Sequence, residues 1–159
     1  MKICILGSGA LGSTIGGTLT EAGLEVHLVD PWMEHINAMN RQGLKLREDS
    51  SDRIVKVRAA TGCQGIGPTD LILVLVKSYH TKEAIKNAGP IMDEKTVVLS
   101  FQNGLGNEDI LAEVVGKEHV IGGGAPLTVG RSAGRDGDAL AENRIFGLAN
   151  ISHGIDVRI

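Results

Sequence analysis

A doubly wound α/β fold, with a mostly parallel sheet and helices on both faces, is predicted by three observations. Short apolar runs alternate with helix-length segments along the chain. One run, Leu71-Ile72-Leu73-Val74-Leu75-Val76, is continuously apolar, as a parallel strand covered on both faces requires. The chain also opens on Lys2-Ile3-Cys4-Ile5-Leu6-Gly7-Ser8-Gly9-Ala10-Leu11-Gly12, an apolar run that breaks into glycines spaced G-x-G-x-x-G. Strand, tight turn and helix start in that order make the arrangement Rossmann-type, and the handedness of crossovers leaves few alternatives.

The elements follow in order. After the first strand, Gly7 permits the sharp turn, Gly9 lets backbone approach a pyrophosphate, and Gly12 lets the helix sit close to the sheet. Gly7, Ser8, Gly9, Ala10, Leu11 and Gly12 are therefore the candidate cofactor-binding turn, where free amides and the helix dipole face the phosphates. Glycines also crowd ordinary turns, which is the alternative. A helix over residues 10–22 stops at Gly23, and a second strand over 26–29 ends in Asp30, at the distance from the glycines where an acid grips the adenosine ribose. Asp30 before Pro31 also reads as an N-cap for a helix over 32–41 closed by Gly43, and one carboxylate can serve both roles. An ionised Asp30 repels a ribose 2′-phosphate, so NAD(H) is favoured over NADP(H).

Residues 44–47 and 54–58 alternate apolar and polar side chains and predict a half-exposed hairpin at the sheet's edge. A loop over 61–69 feeds the strand at 70–76. Then come a helix over 79–88 ended by Gly89 and Pro90, a strand over 96–100, a loop over 101–106, a helix over 108–115 capped by Asn107, and a strand over 119–121. Residues 130–143 are polar and glycine-rich and read as a loop, with short closing strands expected at 144–148 and 155–159.

At 159 residues, 42% apolar and 22% charged, the chain is expected to be a single dinucleotide-binding domain over 1–159. A net charge of −3 without a basic cluster argues against nucleic acid. The apolar runs are too short to cross a bilayer and no signal segment is evident, so the expectation is a cytoplasmic protein without a membrane partner. Cys4 and Cys63 have no metal or redox spacing and the five histidines form no ligand pattern, so no metal is expected. There is no internal repeat.

Ligands of open parallel sheets bind beyond the carboxyl ends of the strands. Two corners there carry chemistry. Lys77, in Val76-Lys77-Ser78-Tyr79-His80-Thr81, places an ammonium within reach of a ribose or a carboxylate substrate, unless it is simply a surface lysine. Asn103, in Gln102-Asn103-Gly104-Leu105-Gly106-Asn107, offers a donor and an acceptor to cofactor and substrate, although Asn-Gly is also ordinary turn chemistry.

These corners, with Gly7-Ser8-Gly9-Ala10-Leu11-Gly12 and Asn40-Arg41-Gln42-Gly43-Leu44, resemble the N-terminal domain of the ketopantoate reductase family over residues 1–124. The resemblance implies NADPH-dependent reduction of 2-dehydropantoate to pantoate, a step of pantothenate biosynthesis, with Lys77 and Asn103 against the nicotinamide and the substrate. Asp30-Pro31 stands where the family usually carries an Arg for the NADP phosphate. The family's helical C-terminal domain, which supplies a catalytic Lys and a substrate-binding Glu, has no counterpart in this sequence. The expectation is thus the NAD(P)-binding domain of an oxidoreductase for a 2-oxo acid, with no catalytic residue in this chain and little turnover alone. A homodimer is the assembly this reading admits. Its rivals are a dinucleotide-sensing regulatory module, which needs neither Lys77 nor Asn103, and a reductase of a different 2-oxo acid.

Overall fold

The computed structural model describes residues 1–48 and 51–121. Six strands pair in parallel in the order β5-β2-β1-β6-β7-β8: β1 (Lys2–Leu6), β2 (Glu25–Val29), β5 (Arg58–Ala60), β6 (Leu71–Val74), β7 (Val97–Ser100) and β8 (Val120–Ile121). Four helices accompany them: α1 (Ala10–Glu21), α2 (Met33–Gln42), α3 (Thr81–Asn87) and α4 (Asn107–Val115). The chain winds outward from β1 through β2 to β5, then returns to β6 on the other side of β1, so the order reverses between β1 and β6. That reversal is the topological switch point at which such sheets open a ligand crevice.

Alternation along the strands divides the core between the two faces. Ile3, Ile5, Val26, Leu28, Leu71, Leu73 and Leu99 turn to one face, with Ile36 and Met39 of α2. Cys4, Leu6, Val29, Ile72, Val74 and Val98 turn to the other, with Ile85 of α3 and Leu111 of α4. Close approach marks α1: a Cβ on Gly16 would meet the Leu28 side chain at 2.5 Å, so the bare backbone lets that helix lie near the sheet without displacing Leu28.

The hairpin forms, but not where its alternation suggests. β3 (Leu44–Glu48) and β4 (Ser51–Val55) are a separate antiparallel pair that packs on α1, whose Gly17 leaves room for Leu44 and Leu46. The chain then leaves this pair at Lys56 and Val57, and residues 58–60 become β5 of the main sheet rather than the end of the hairpin. Asn40 of α2 fastens that edge strand, donating from Nδ2 to the Ala59 carbonyl at 2.9 Å and accepting the Ala59 N–H at 3.3 Å.

Two expected caps are corrected. Trp32, not Asp30, is the N-cap of α2, and Pro31 lies outside the helix. Gly106, in the left-handed region at φ +84°, caps α4, and Asn107 is its first helical residue. The helix expected from Tyr79 begins as a 3-10 turn, Ser78–His80, before α3, and a 3-10 turn, Lys117–His119, takes the start of the strand expected at 119–121. The loop expected at 130–143 and the strands expected at 144–148 and 155–159 lie outside the described residues.

Cys4 and Cys63 are both free and buried, in one apolar cluster. The hydrogen bond between the two thiols and burial push the Cys4 thiol far above its usual range. The same bond holds the Cys63 thiol below its usual range, so its protection comes from burial alone: neither cysteine should react with a disulfide reagent such as DTNB in native buffer, and both should react in guanidinium; fast labelling of the native chain would show that the segment carrying Cys63 opens.

Candidate cofactor site

The strand tips lie in one row. Leu6 pairs in register with Val29 on one side and Val74 on the other, and Val74 pairs with Ser100. Every sequence-predicted site residue lies within a few positions beyond this row: the glycine turn after Leu6, Asp30 after Val29, Lys77 after Val74 and Asn103 after Ser100. The parallel ladder therefore brings together groups that are up to 96 residues apart in the chain.

Gly7 takes φ +99°, and a Cβ there would lie 2.8 Å from the Val76 amide nitrogen. It turns the chain and also lets the turn abut the exit of β6, at the switch point. Gly12 is closer still, its notional Cβ 2.0 Å from the Gly7 carbonyl oxygen. Gly9 differs from both. It is the exposed N-cap of α1, and nothing lies within 4 Å of where its Cβ would be. The first intrahelical bond is donated by Ser13 to the Gly9 carbonyl at 2.8 Å, so the amides of Ala10, Leu11 and Gly12 precede the helix's own bonding. No acidic side chain in the first turn of α1 competes for its positive end. An open cradle over unbonded amides fits a pyrophosphate.

Asp30 ties this turn to the next. Its Oδ2 accepts the Ser8 N–H at 2.9 Å and its Oδ1 accepts the Trp32 N–H at 3.0 Å, while its own N–H extends the ladder to the Ala60 carbonyl. Each carboxylate oxygen keeps a second lone pair for a ribose hydroxyl. Ser8 is a junction: its carbonyl accepts the Ser13 hydroxyl at 2.7 Å and His35 Nε2 at 2.8 Å. A carbonyl can only accept, so His35 carries its proton on Nε2. The Ser8 hydroxyl is fully buried and has no partner among the described residues. Trp32 stacks on His35, with ring centroids 5.2 Å apart, and leaves its indole 62% exposed at the tip of β2.

Lys77 and Asn103 are exposed, and neither side chain has a partner among the described residues. Beneath them is a network that sequence reasoning missed. Gln102 Nε2 donates to the Val76 carbonyl and to Thr81 Oγ1, both at 2.7 Å. Asn107 Nδ2 donates to the Gly104 carbonyl at 3.1 Å and lies 3.4 Å from that of Asn103. The signal for Asn107 points elsewhere, because Asn directly after Gly106 and before a helix looks like a cap. No local pattern reveals Gln102, whose two Nε2 partners lie 26 and 21 residues away. His35 and Trp32 were also missed, although their i, i+3 spacing sets them on one face of the helix start.

Among the described residues, no helix is long and apolar enough to cross a membrane, and no group of three or more His, Cys, Asp and Glu side chains converges to hold a metal.

The family model for ketopantoate reductase PanE/ApbA matches residues 3–143. The 2-dehydropantoate 2-reductase of Pyrococcus abyssi is 48% identical over 125 residues, covering 77% of this chain and 39% of that protein. The enzyme of the same name from Lactococcus lactis is 33% identical over 132 residues, covering 82% and 42%. Among solved structures, 2-dehydropantoate 2-reductase from Geobacter metallireducens superposes with a TM-score of 0.69 at 34% identity, over 76% of this chain and 40% of that one. D-mandelate dehydrogenase in a ternary structure with NADH and anilino(oxo)acetate gives 0.71 at 30% identity, over 76% and 39%. The chain thus spans about two fifths of the length of these relatives. With the glycine turn, the row of strand tips and the family match all falling on the same residues, the chain belongs to the ketopantoate reductase family of dinucleotide-binding oxidoreductases.

Proposed function

We propose that this chain is the cofactor-binding domain of a reductase for a small 2-oxo acid, 2-dehydropantoate being the substrate its relatives' names favour, and that it binds NAD(H) in preference to NADP(H). The observation that carries the reading is the open cradle at Gly9, beside which the Asp30 carboxylate is fixed to the Ser8 amide. The pyrophosphate lies on the amides of Ala10 and Leu11, the adenosine ribose on Asp30, and the nicotinamide end toward Lys77 and Asn103. When bound, the nicotinamide supplies a hydride to the keto carbon.

The chain's own residues do the rest. The Lys77 ammonium holds the substrate carboxylate by charge, and the Asn103 amide orients substrate against cofactor with a donor at one end and an acceptor at the other. Proton donation to the forming alkoxide is assigned to no residue among 1–121. The reading places the protein in the cytoplasm, where 2-oxo acids and nicotinamide cofactors meet.

Trp32 is the chain's single tryptophan and stands at the tip of β2. NADH titrated into the purified chain should quench the indole emission saturably and gain sensitised emission of its own, and ADP-ribose should reverse both. Linear, non-saturating quenching would sink the dinucleotide reading.

A further inference from the structure

We infer that Gln102, Thr81 and Asn107 form a largely buried brace whose task is to hold Lys77 and Asn103 at a fixed separation, which makes the three brace members positioning residues for the nicotinamide half of the cleft. This rests on the dinucleotide reading above. Lys77 and Asn103 leave neighbouring strands, but each rides on a loop that the ladder no longer holds. The last ladder bonds there are donated by Leu75 to the Leu6 carbonyl and by Phe101 to the Val74 carbonyl. Beyond them, fixed geometry has to come from side chains.

The brace supplies it at both loops. Gln102, from the β7 exit, reaches across to the β6 exit and takes the Val76 carbonyl, which belongs to the peptide leading into Lys77. An acceptor-only carbonyl at 2.7 Å fixes which end of the Gln102 amide is nitrogen. The second proton of that nitrogen goes to Thr81 Oγ1, and the Thr81 hydroxyl donates in turn to the Ser78 carbonyl at 2.8 Å, closing the turn that follows Lys77. Ser100 Oγ donates to Gln102 Oε1 at 3.2 Å and completes its amide. On the other loop, Asn107 holds the Gly104 carbonyl from below, next to Asn103. Asn107 Oδ1 lies 3.4 Å from Thr81 Oγ1, whose single proton goes to Ser78, so the two arms meet there by packing.

Thr81 is fully buried, and Asn107 is 2% exposed. Most polar side chains this deep make their hydrogen bonds, and here those bonds end on carbonyls of the two loops, at or next to the residues that carry the exposed, unpartnered groups. Lys77 and Asn103 are thereby set before any ligand arrives.

The test is calorimetric titration of the full chain with NADH and with ADP-ribose, which lacks the nicotinamide half. The unsubstituted chain should bind NADH more tightly than ADP-ribose. Gln102→Leu and, as the milder variant, Thr81→Val should lose about tenfold in NADH affinity with ADP-ribose affinity unchanged, and Thr81→Ser, which keeps the hydroxyl, should bind NADH as the unsubstituted chain does. Lys77→Ala should cost a similar factor in the native background and little more on top of Gln102→Leu, because the two changes remove one effect. A parallel fall for both probes would mean a merely structural role and overturn the brace, as would equal affinity of the unsubstituted chain for both. Failure of that chain to bind either probe would overturn the dinucleotide reading itself, and the brace with it.

Discussion

Gly12→Ala is expected to destabilise the protein by about 3 kcal/mol or more, whereas Gly9→Ala should leave stability within about 1 kcal/mol and weaken dinucleotide binding. The two glycines belong to one motif and fail in opposite ways. At Gly12 a methyl group would lie 2.0 Å from the Gly7 carbonyl oxygen and 3.4 Å from Ile5 Cγ2. The obstructing atom is backbone, held in turn by the Gly7 N–H bond to the Val29 carbonyl at 2.8 Å. No rotamer relieves that contact, so either α1 lifts from the sheet or the turn opens, and both expose the face built on Ile5 and Leu28.

At Gly9 a methyl group meets nothing. Its φ of −63° and extended ψ suit alanine, and the small loss as an N-cap is offset by the lower entropy of the unfolded chain. The methyl would instead occupy the space into which a pyrophosphate must come to reach the Ala10 and Leu11 amides, and affinity for NADH should fall by at least about tenfold. Urea unfolding of both variants, paired with NADH titration of the Gly9 variant, separates the two roles. A Gly9→Ala chain that binds NADH normally would show that phosphate does not approach there.

That contrast also marks what the sequence makes legible. Glycine spacing announces a turn against a helix, and the apolar run at Leu71 to Val74 announces a buried central strand, because both are local consequences of residue type. The hairpin boundary is not local. Alternation continues unbroken from Val55 to Arg58, so nothing in the period shows that Val55 closes one sheet while Arg58 opens onto another; β2's free edge decides it.

The site divides in the same way. Its positions follow from strand order, since each named residue lies just past a strand tip, and sequence supplies those tips. Its bonds do not follow. Asp30 looks like a cap from Pro31 alone, yet its two partners are Trp32, two residues on, and Ser8, 22 residues back. Gln102 stands inside a motif whose neighbours drew attention, and its function depends on carbonyls contributed by another strand's exit.

Asp30→Asn is expected to lower the preference for NADH over NADPH by about tenfold or more, through charge rather than shape. In the native chain both carboxylate oxygens point into the turn and are fixed by the Ser8 and Trp32 amides, so the negative charge cannot swing away from a ribose 2′-substituent. A 2′-phosphate brings roughly −1.5 to −2 of further charge to that place. Asparagine retains one oxygen, keeps one of the two amide partners and turns its NH2 toward the other, so a stability loss of about 1–2 kcal/mol should accompany the change. Binding should nonetheless separate the effects: NADH weakens as the ribose loses its acceptor, and NADPH strengthens as repulsion is lifted. Ionic strength provides an internal check, because the native preference should shrink as salt screens the carboxylate and the preference of the Asp30→Asn chain should hardly move. An unchanged ratio of the two affinities, at low salt and in both chains, would leave Asp30 with a single task, the fastening of Ser8 to Trp32 across the tips of β1 and β2, and would return cofactor choice to residues beyond this turn.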